Sequence, residues 1–134
     1  MTRTLTALLC ATLLAAGCSD PPAPPAPTPV APTISETFTG TLLVAGVNSH
    51  QFAVAQVGGV KVSLTSLESG AAVGLGVGTA GTGTCVVISS ITAIAGASVQ
   101  LSGTATLVAN YCVSIADVGN LVEPVTYSIT VNHS

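Results

Sequence analysis

The chain has 134 residues, with two basic and five acidic side chains, a net charge of −3, and only four aromatic residues. A nucleic-acid binder displaces phosphate counterions with a basic footprint, and two cations cannot supply one, so that class is excluded. Val, Ala, Thr, Ser, Gly and Leu make up most of the rest; Thr and Val favour strands and Gly suits turns, so the composition indicates an all-β protein.

In chain order, the first segment reads as an export signal. Arg3 supplies a positive start, and Leu5 to Ala16 is an apolar run too short to cross a hydrocarbon core of ~30 Å as a helix. Small residues Ala15, Ala16 and Gly17 follow, then Cys18. This stretch resembles the bacterial lipobox, with Leu14 one place earlier than the commonest pattern has it. The resemblance implies a signal peptide over residues 1–17, cleavage before Cys18, and a diacylglycerol on the Cys18 sulfur with an acyl group on the new amine. Several acyl chains at ~0.8 kcal/mol per buried methylene make a durable anchor in a lipid bilayer. Ser19 rather than Asp follows the cysteine, which by the same resemblance favours the outer membrane over the inner membrane of a cell envelope.

Residues 18–33 form a spacer. Seven of the eight prolines fall between Pro21 and Pro32, interleaved with Ala and Thr. Proline fixes φ and removes a donor, so this segment joins neither helix nor central strand. At ~3.1 Å per residue, a dozen such residues reach roughly 40 Å, enough to lift a domain off the headgroups. The P-x-x-P spacing at Pro22–Pro25 and Pro24–Pro27 also suits a proline-ligand motif, but the composition is that of a plain spacer.

Residues 34–134 are predicted to fold as one domain of common size. Period-two alternation gives about eight strands. "ETFTGTLLV" points Phe38, Leu42 and Val44 one way. "HQFAV" does so with His50, Phe52 and Val54, and "GGVKVSLTSL" with Val60, Val62 and Leu64. "AAVGLGVG" sets Val73, Leu75 and Val77 against glycines; "CVVIS" and "SVQLSGTATL" follow. "YCVSIAD" alternates Tyr111, Val113 and Ile115 with Cys112 and Ser114, and "PVTYSITVNH" points Val125, Tyr127, Ile129 and Val131 inward. Turns are expected at 46–48, 58–59, 68–70, 78–84 and 119–120. Short, half-polar strands of this kind predict a single antiparallel β-sandwich, jelly-roll-like, with one solvated face per sheet.

With Cys10 in the signal and Cys18 lipidated, Cys85 and Cys112 remain, an even count that suggests one disulfide in an exported chain. A loop of about 28 residues gives roughly 3.5 kcal/mol by chain entropy. If Val86 and Ile88 face the core, Cys85 and Cys112 both lie on an outer face, and the disulfide would join neighbouring strands there.

The strand order resembles the bacterial pre-peptidase C-terminal domain. Phe38, Gly40 and Leu42 match its F-x-G-x-L opening strand; Phe52 and Val54 the second; Val62, Leu64 and Thr65 the third. Tyr111, Val113 and Ile115, then Tyr127, Ile129 and Val131, match the closing pair, so the likeness covers most of residues 36–132. It implies a jelly-roll-like sandwich of the kind appended to secreted enzymes in accessory or binding roles. Some relatives carry acid-rich calcium sites near the domain start, where this chain has Glu36 alone, so calcium is not carried over.

Little here points to catalysis. "GVGTAG", Gly76 to Gly81, matches G-x-G-x-x-G but leads into a strand, with no acid between Glu68 and Asp117, so neither nucleotide nor cofactor binding is expected. A nucleophile relay needs a histidine base. His50 sits at a strand start and His133, next to last, is expected to fray. "DVGNLVEP" gathers Asp117, Asn120 and Glu123, which could offer oxygens to calcium, yet reads more simply as a turn limited by Pro124. "NHS" at the end fits a glycosylation sequon that a bacterial lipoprotein has no reason to use.

Edge strands are normally guarded by lysine, proline or inward charge. With one lysine and one proline in the domain, the edges are either covered by the disulfide and loops or meet a partner by strand addition. The expectation is a non-enzymatic, lipid-anchored envelope protein whose sandwich is an interaction module, for a protein partner rather than a glycan, since all four aromatics point inward. The alternatives are a structural or self-associating envelope component, and a glycan- or calcium-binding accessory domain.

Overall fold

A computed structural model describes residues 22–28 and 30–134; the predicted signal peptide and Cys18 lie outside the described residues. Residues 22–28 and 30–33 take no regular structure, as their prolines require. No helix long and apolar enough to cross a membrane occurs among the described residues.

Eight strands follow: β1 (Ile34–Leu42), β2 (Val47–Val54), β3 (Gly58–Leu67), β4 (Val73–Ala80), β5 (Cys85–Ala93), β6 (Leu101–Ala105), β7 (Ala109–Ala116) and β8 (Val125–His133). They form two four-stranded sheets, ordered β1-β8-β3-β6 and β2-β7-β4-β5, with every pairing antiparallel. Consecutive strands alternate between the sheets until β4–β5, which is the jelly-roll order. The expected all-β sandwich of about eight strands is the observed one.

The core comes from the alternation. Val60, Val62 and Leu64 of β3, Val73 and Leu75 of β4, Val113 and Ile115 of β7, and Ile129 and Val131 of β8 are buried between the sheets. Burying each such side chain contributes about 1.5–3 kcal/mol. The outer face of the first sheet is hydroxylated, with Thr37 opposite Thr130, Thr39 opposite Ser128 and Thr41 opposite Thr126. Lys61 stands on this face opposite Ser102.

Four expectations are corrected. The chain turns at Leu43–Gly46, closed by Gly46 N–H donating to the Leu43 carbonyl at 2.9 Å, so Val44 is exposed and β2 already begins at Val47. Ala45 takes φ 56° there, a left-handed conformation rare for a residue with a Cβ. The glycine-threonine run is mostly strand: β4 continues to Ala80, and the turn is confined to Gly81–Thr84, with Gly83 at φ 72°. His133 does not fray. It ends β8, a strand flanked by β1 and β3, and is buried. Finally, Val86 and Ile88 are 59% and 72% exposed rather than core. Val86 stands on the inner side, opposite Thr79 and through it Tyr111, but at an edge that the short β6 leaves open, and Ile88 is the unpaired residue of a bulge opposite Val77–Gly78.

Candidate interaction surface

The sandwich has two open sides, where edge strands of opposite sheets approach each other: β1 beside β2, and β6 beside β5. They are finished very differently.

The β1/β2 side is closed by polar and aromatic side chains. Tyr127, on β8 behind β1, projects its hydroxyl past Gly40; a Cβ at Gly40 would stand 2.7 Å from that oxygen, so only glycine leaves it room. Asn48 Nδ2 donates to the Tyr127 hydroxyl at 3.1 Å and to the Thr41 carbonyl at 2.8 Å. The hydroxyl also meets His50 Nε2 at 2.7 Å. With Asn48 donating to the oxygen, the Tyr127 O–H is free to donate to a neutral His50, and burial lowers the His50 pKa below its ordinary value in the same sense. Phe38 stacks on the His50 ring at 5.0 Å. Further along, His133 Nε2 lies 2.8 Å from Glu36 Oε1, with the Phe52 ring 5.1 Å away. Both histidines thus serve packing and hydrogen bonding across the seam. All four aromatics belong to the core or pack on it.

The candidate calcium residues are spread over separate tasks. Asp117 Oδ1 accepts the N–H groups of Gly119, Asn120 and Leu121 at 2.8–3.2 Å, and Oδ2 accepts that of Ala45 at 2.8 Å. The Ala45 bond, then the three others, lowers the Asp117 pKa against the raising effect of desolvation. Asn120 Nδ2 donates to the Ala72 carbonyl, tying this loop to the start of β4. Glu123 lies with Glu68, Ser69 and Pro124 around a polar groove of about 230 Å³. Glu68 Oε2 in turn accepts from the Thr126 hydroxyl at 2.9 Å. No group of three or more potential metal ligands occurs among the described residues.

Cys85 and Cys112 form the expected disulfide, with Cα atoms 5.7 Å apart. Cys112 is on the outer face of β7, opposite in parity to core residues Tyr111 and Val113. The bond does not join neighbouring strands, however. β4 lies between β5 and β7, so the disulfide passes over β4, and Cys112 Sγ sits 3.2 Å from the Thr79 carbonyl oxygen. Gly78, beside this crossing, permits the β5 backbone to come close. It is paired with Cys112 on one side and Val87 on the other, and a Cβ there would lie 2.6 Å from the Val86 carbonyl carbon and 2.8 Å from Val87 Cα. Of the glycines that alternate with Val73, Leu75 and Val77, Gly76 and Gly78 are where β5 leans onto the outer face of its own sheet, a Cβ at Gly76 standing 2.9 Å from Val87 Cγ1, whereas Gly74 faces Val118 and Ala116.

The β5/β6 side is unfinished by comparison. β6 has five residues and covers β3 only from Gly58 to Val62. Beside it opens an apolar cleft of about 110 Å³, lined by Val60, Val77, Ile88, Gly103 and Tyr111 among others. Val86, Val87 and Ile88 on β5 are 59%, 43% and 72% exposed in succession. The four edges differ in what they offer an added strand. β1 points Glu36 inward, β6 is short, and β2 is polar through Asn48, Ser49, His50 and Gln51. β5, "CVVISSITA", is nine residues long and uncharged, and its one guard is the bulge at Ile88.

Sequence reading missed this triplet because it assigned Val86 and Ile88 to the core. The available signal was three successive aliphatic residues, Val86-Val87-Ile88, where strict alternation would have placed a polar one. No family model matches the chain, and no curated protein matches it.

Proposed function

We propose that this chain is a non-enzymatic, lipid-anchored protein of the bacterial cell envelope, most simply of the outer membrane. Its sandwich acts as an interaction module that takes a protein partner by strand addition at β5. The observation that carries this reading is the contrast among edges: β5 alone combines length, lack of charge and three exposed aliphatic side chains beside an apolar cleft. Strand addition gains main-chain hydrogen bonds along such an edge, and a cleft alongside it gives side-chain selectivity. The disulfide supports the reading by pinning the start of β5, since a pre-ordered edge loses less entropy on binding. The anchor rests on the lipobox resemblance at Cys18, and the likeness to the pre-peptidase C-terminal domain agrees with a binding rather than a catalytic role.

Cross-linking with mass spectrometry on intact cells tests both parts. A recurrent partner cross-linked near β5, with membrane association abolished by Cys18→Ala, is the expected result. Links scattered over abundant envelope proteins and indifferent to β5 would overturn the module; a Cys18→Ala protein that still sediments with membranes would overturn the anchor.

A further inference from the structure

We propose that the strand added at β5 is β5 of a second copy of this chain, antiparallel, so that two four-stranded sheets become one of eight; this rests on the reading of β5 as the contact edge. The first argument is charge. Residues 69–116 contain no Asp, Glu, Lys, Arg or His. The acids of the folded domain lie elsewhere: Glu36 on β1, Glu68 after β3, and Asp117 and Glu123 between β7 and β8. An acidic chain with a single lysine repels its own copy over most orientations, and the β4–β5–β6 side is the one on which no like charges meet. A basic partner, by contrast, would be drawn to the acids and away from β5.

The second argument is self-complementarity. A two-fold interface puts the same patch on both subunits. An antiparallel pair related by a two-fold axis through the sheet must centre on one residue, and the middle of β5 is Ser89. Centred there, Ser89 meets Ser89, Val87 falls opposite Ile91 and Val86 opposite Thr92, with the bulge residue Ile88 interrupting the ladder beside Ser90 symmetrically on both sides of the axis. No pair contains a charge, and a small side chain stands on the axis. The added strand also extends the sheet past the mouth of the β5/β6 cleft, taking Ile88 out of water.

The contact is a strip roughly 30 Å long and one strand deep. That is less than the ~1,200 Å² of a standard interface, so the pair is weak between dilute soluble chains. Confinement to a shared membrane surface supplies the effective concentration it needs.

The test uses the full chain in a bacterial envelope, with Ser90→p-benzoylphenylalanine as a photo-cross-linker and irradiation of intact cells. An adduct of twice the chain mass containing this chain alone is expected. The same probe at Thr39, on the outer face of β1, should give none. Ile88→Lys should lower the dimer adduct at least about tenfold by placing lysines near one another across the axis, while the Cys85–Cys112 disulfide, read by its mobility shift on reduction, still forms. A Ser90 adduct with a different protein only overturns the second copy and leaves β5 as a contact edge. No adduct at Ser90 overturns both, and a dimer adduct indifferent to Ile88→Lys overturns the proposed pairing.

Discussion

Gly78→Ala tests the close approach of β5 to β4. The new methyl would stand 2.6 Å from the Val86 carbonyl carbon and 2.8 Å from Val87 Cα. Carbon atoms in contact prefer about 3.5–4.0 Å, so β5 must retreat by roughly 1 Å. The obstructing atoms are backbone and cannot rotate away. Retreat also stretches the Gly78–Val87 pairing, and Cys85, two residues earlier, is held to Cys112. Overpacking costs about 1–3 kcal/mol, and with the strand tethered the upper end applies, about 3 kcal/mol. For a domain of this size each kcal/mol moves the melting temperature by about 4–8 °C, so Tm should fall by about 12–24 °C. Thermal unfolding followed by far-ultraviolet circular dichroism, without reductant, reads this directly. Gly103→Ala on β6 is the control: a Cβ there meets nothing within 4 Å. Replacing a strand glycine at an open site should add about 0.5–1 kcal/mol. In a background lacking both cysteines β5 can move, so the Gly78→Ala cost should shrink, a coupling of about 0.5–3 kcal/mol. A Tm within about 4 °C of wild type for Gly78→Ala would refute the close approach of β5 to this glycine.

Replacing Cys85 and Cys112 together by Ala opens a 27-residue separation and should cost about 3.5 kcal/mol, lowering Tm by about 15–25 °C; reductant should give a similar drop in wild type and none in the variant. The lowered pKa of His50 means that between that value and the unfolded value of about 6.5 the unfolded chain binds a proton the folded chain does not. Its contribution is therefore present above pH 6.5 and lost as pH falls below it; melting at pH 7.5 and 5.5 should show this slope, and His50→Gln should flatten it. Asp117→Ala, which strips four backbone amides of their acceptor, should lower Tm clearly, whereas Glu123→Gln should leave it within a degree or two. Millimolar calcium should not raise the wild-type midpoint, because the Asp117 oxygens are already engaged.

Much of the sandwich was legible because period-two alternation records the two faces of a strand. It placed Val60 through Leu64, Tyr111 through Ile115 and Val125 through Val131 on their proper sides. The same count, carried one step further, puts His133 with Val131 on the inner face; nearness to the terminus was the weaker guide, since a strand paired on both sides is not free to fray. The disulfide was legible from cysteine arithmetic, but its route over β4 was not, because strand order is a long-range property that no local pattern carries. Nor was the reason for Gly40, whose partner Tyr127 lies far along the sequence on the adjoining strand. The exposure of β5 was not legible for a specific cause: Val86 stands on the inner side as alternation has it, but whether another strand covers that side depends on the length of β6, and the unpaired Ile88 is an insertion that alternation has no means of anticipating.

The path of the Cys85–Cys112 bond has a consequence for proteolysis. The loop it closes holds the rest of β5, all of β6 and the connection between them, residues 94–100, which has no regular structure and exposes Ile94 and Val99. A protease that nicks this connection separates the chain into two peptides, one ending beyond Cys85 and the other beginning before Cys112. The sulfur bridge keeps them one molecule. Both halves of each sheet also stay in register, because β1 to β5 and β6 to β8 are interleaved in the strand order. A single cut there is a scar the domain carries, visible on a reducing gel and silent on a non-reducing one.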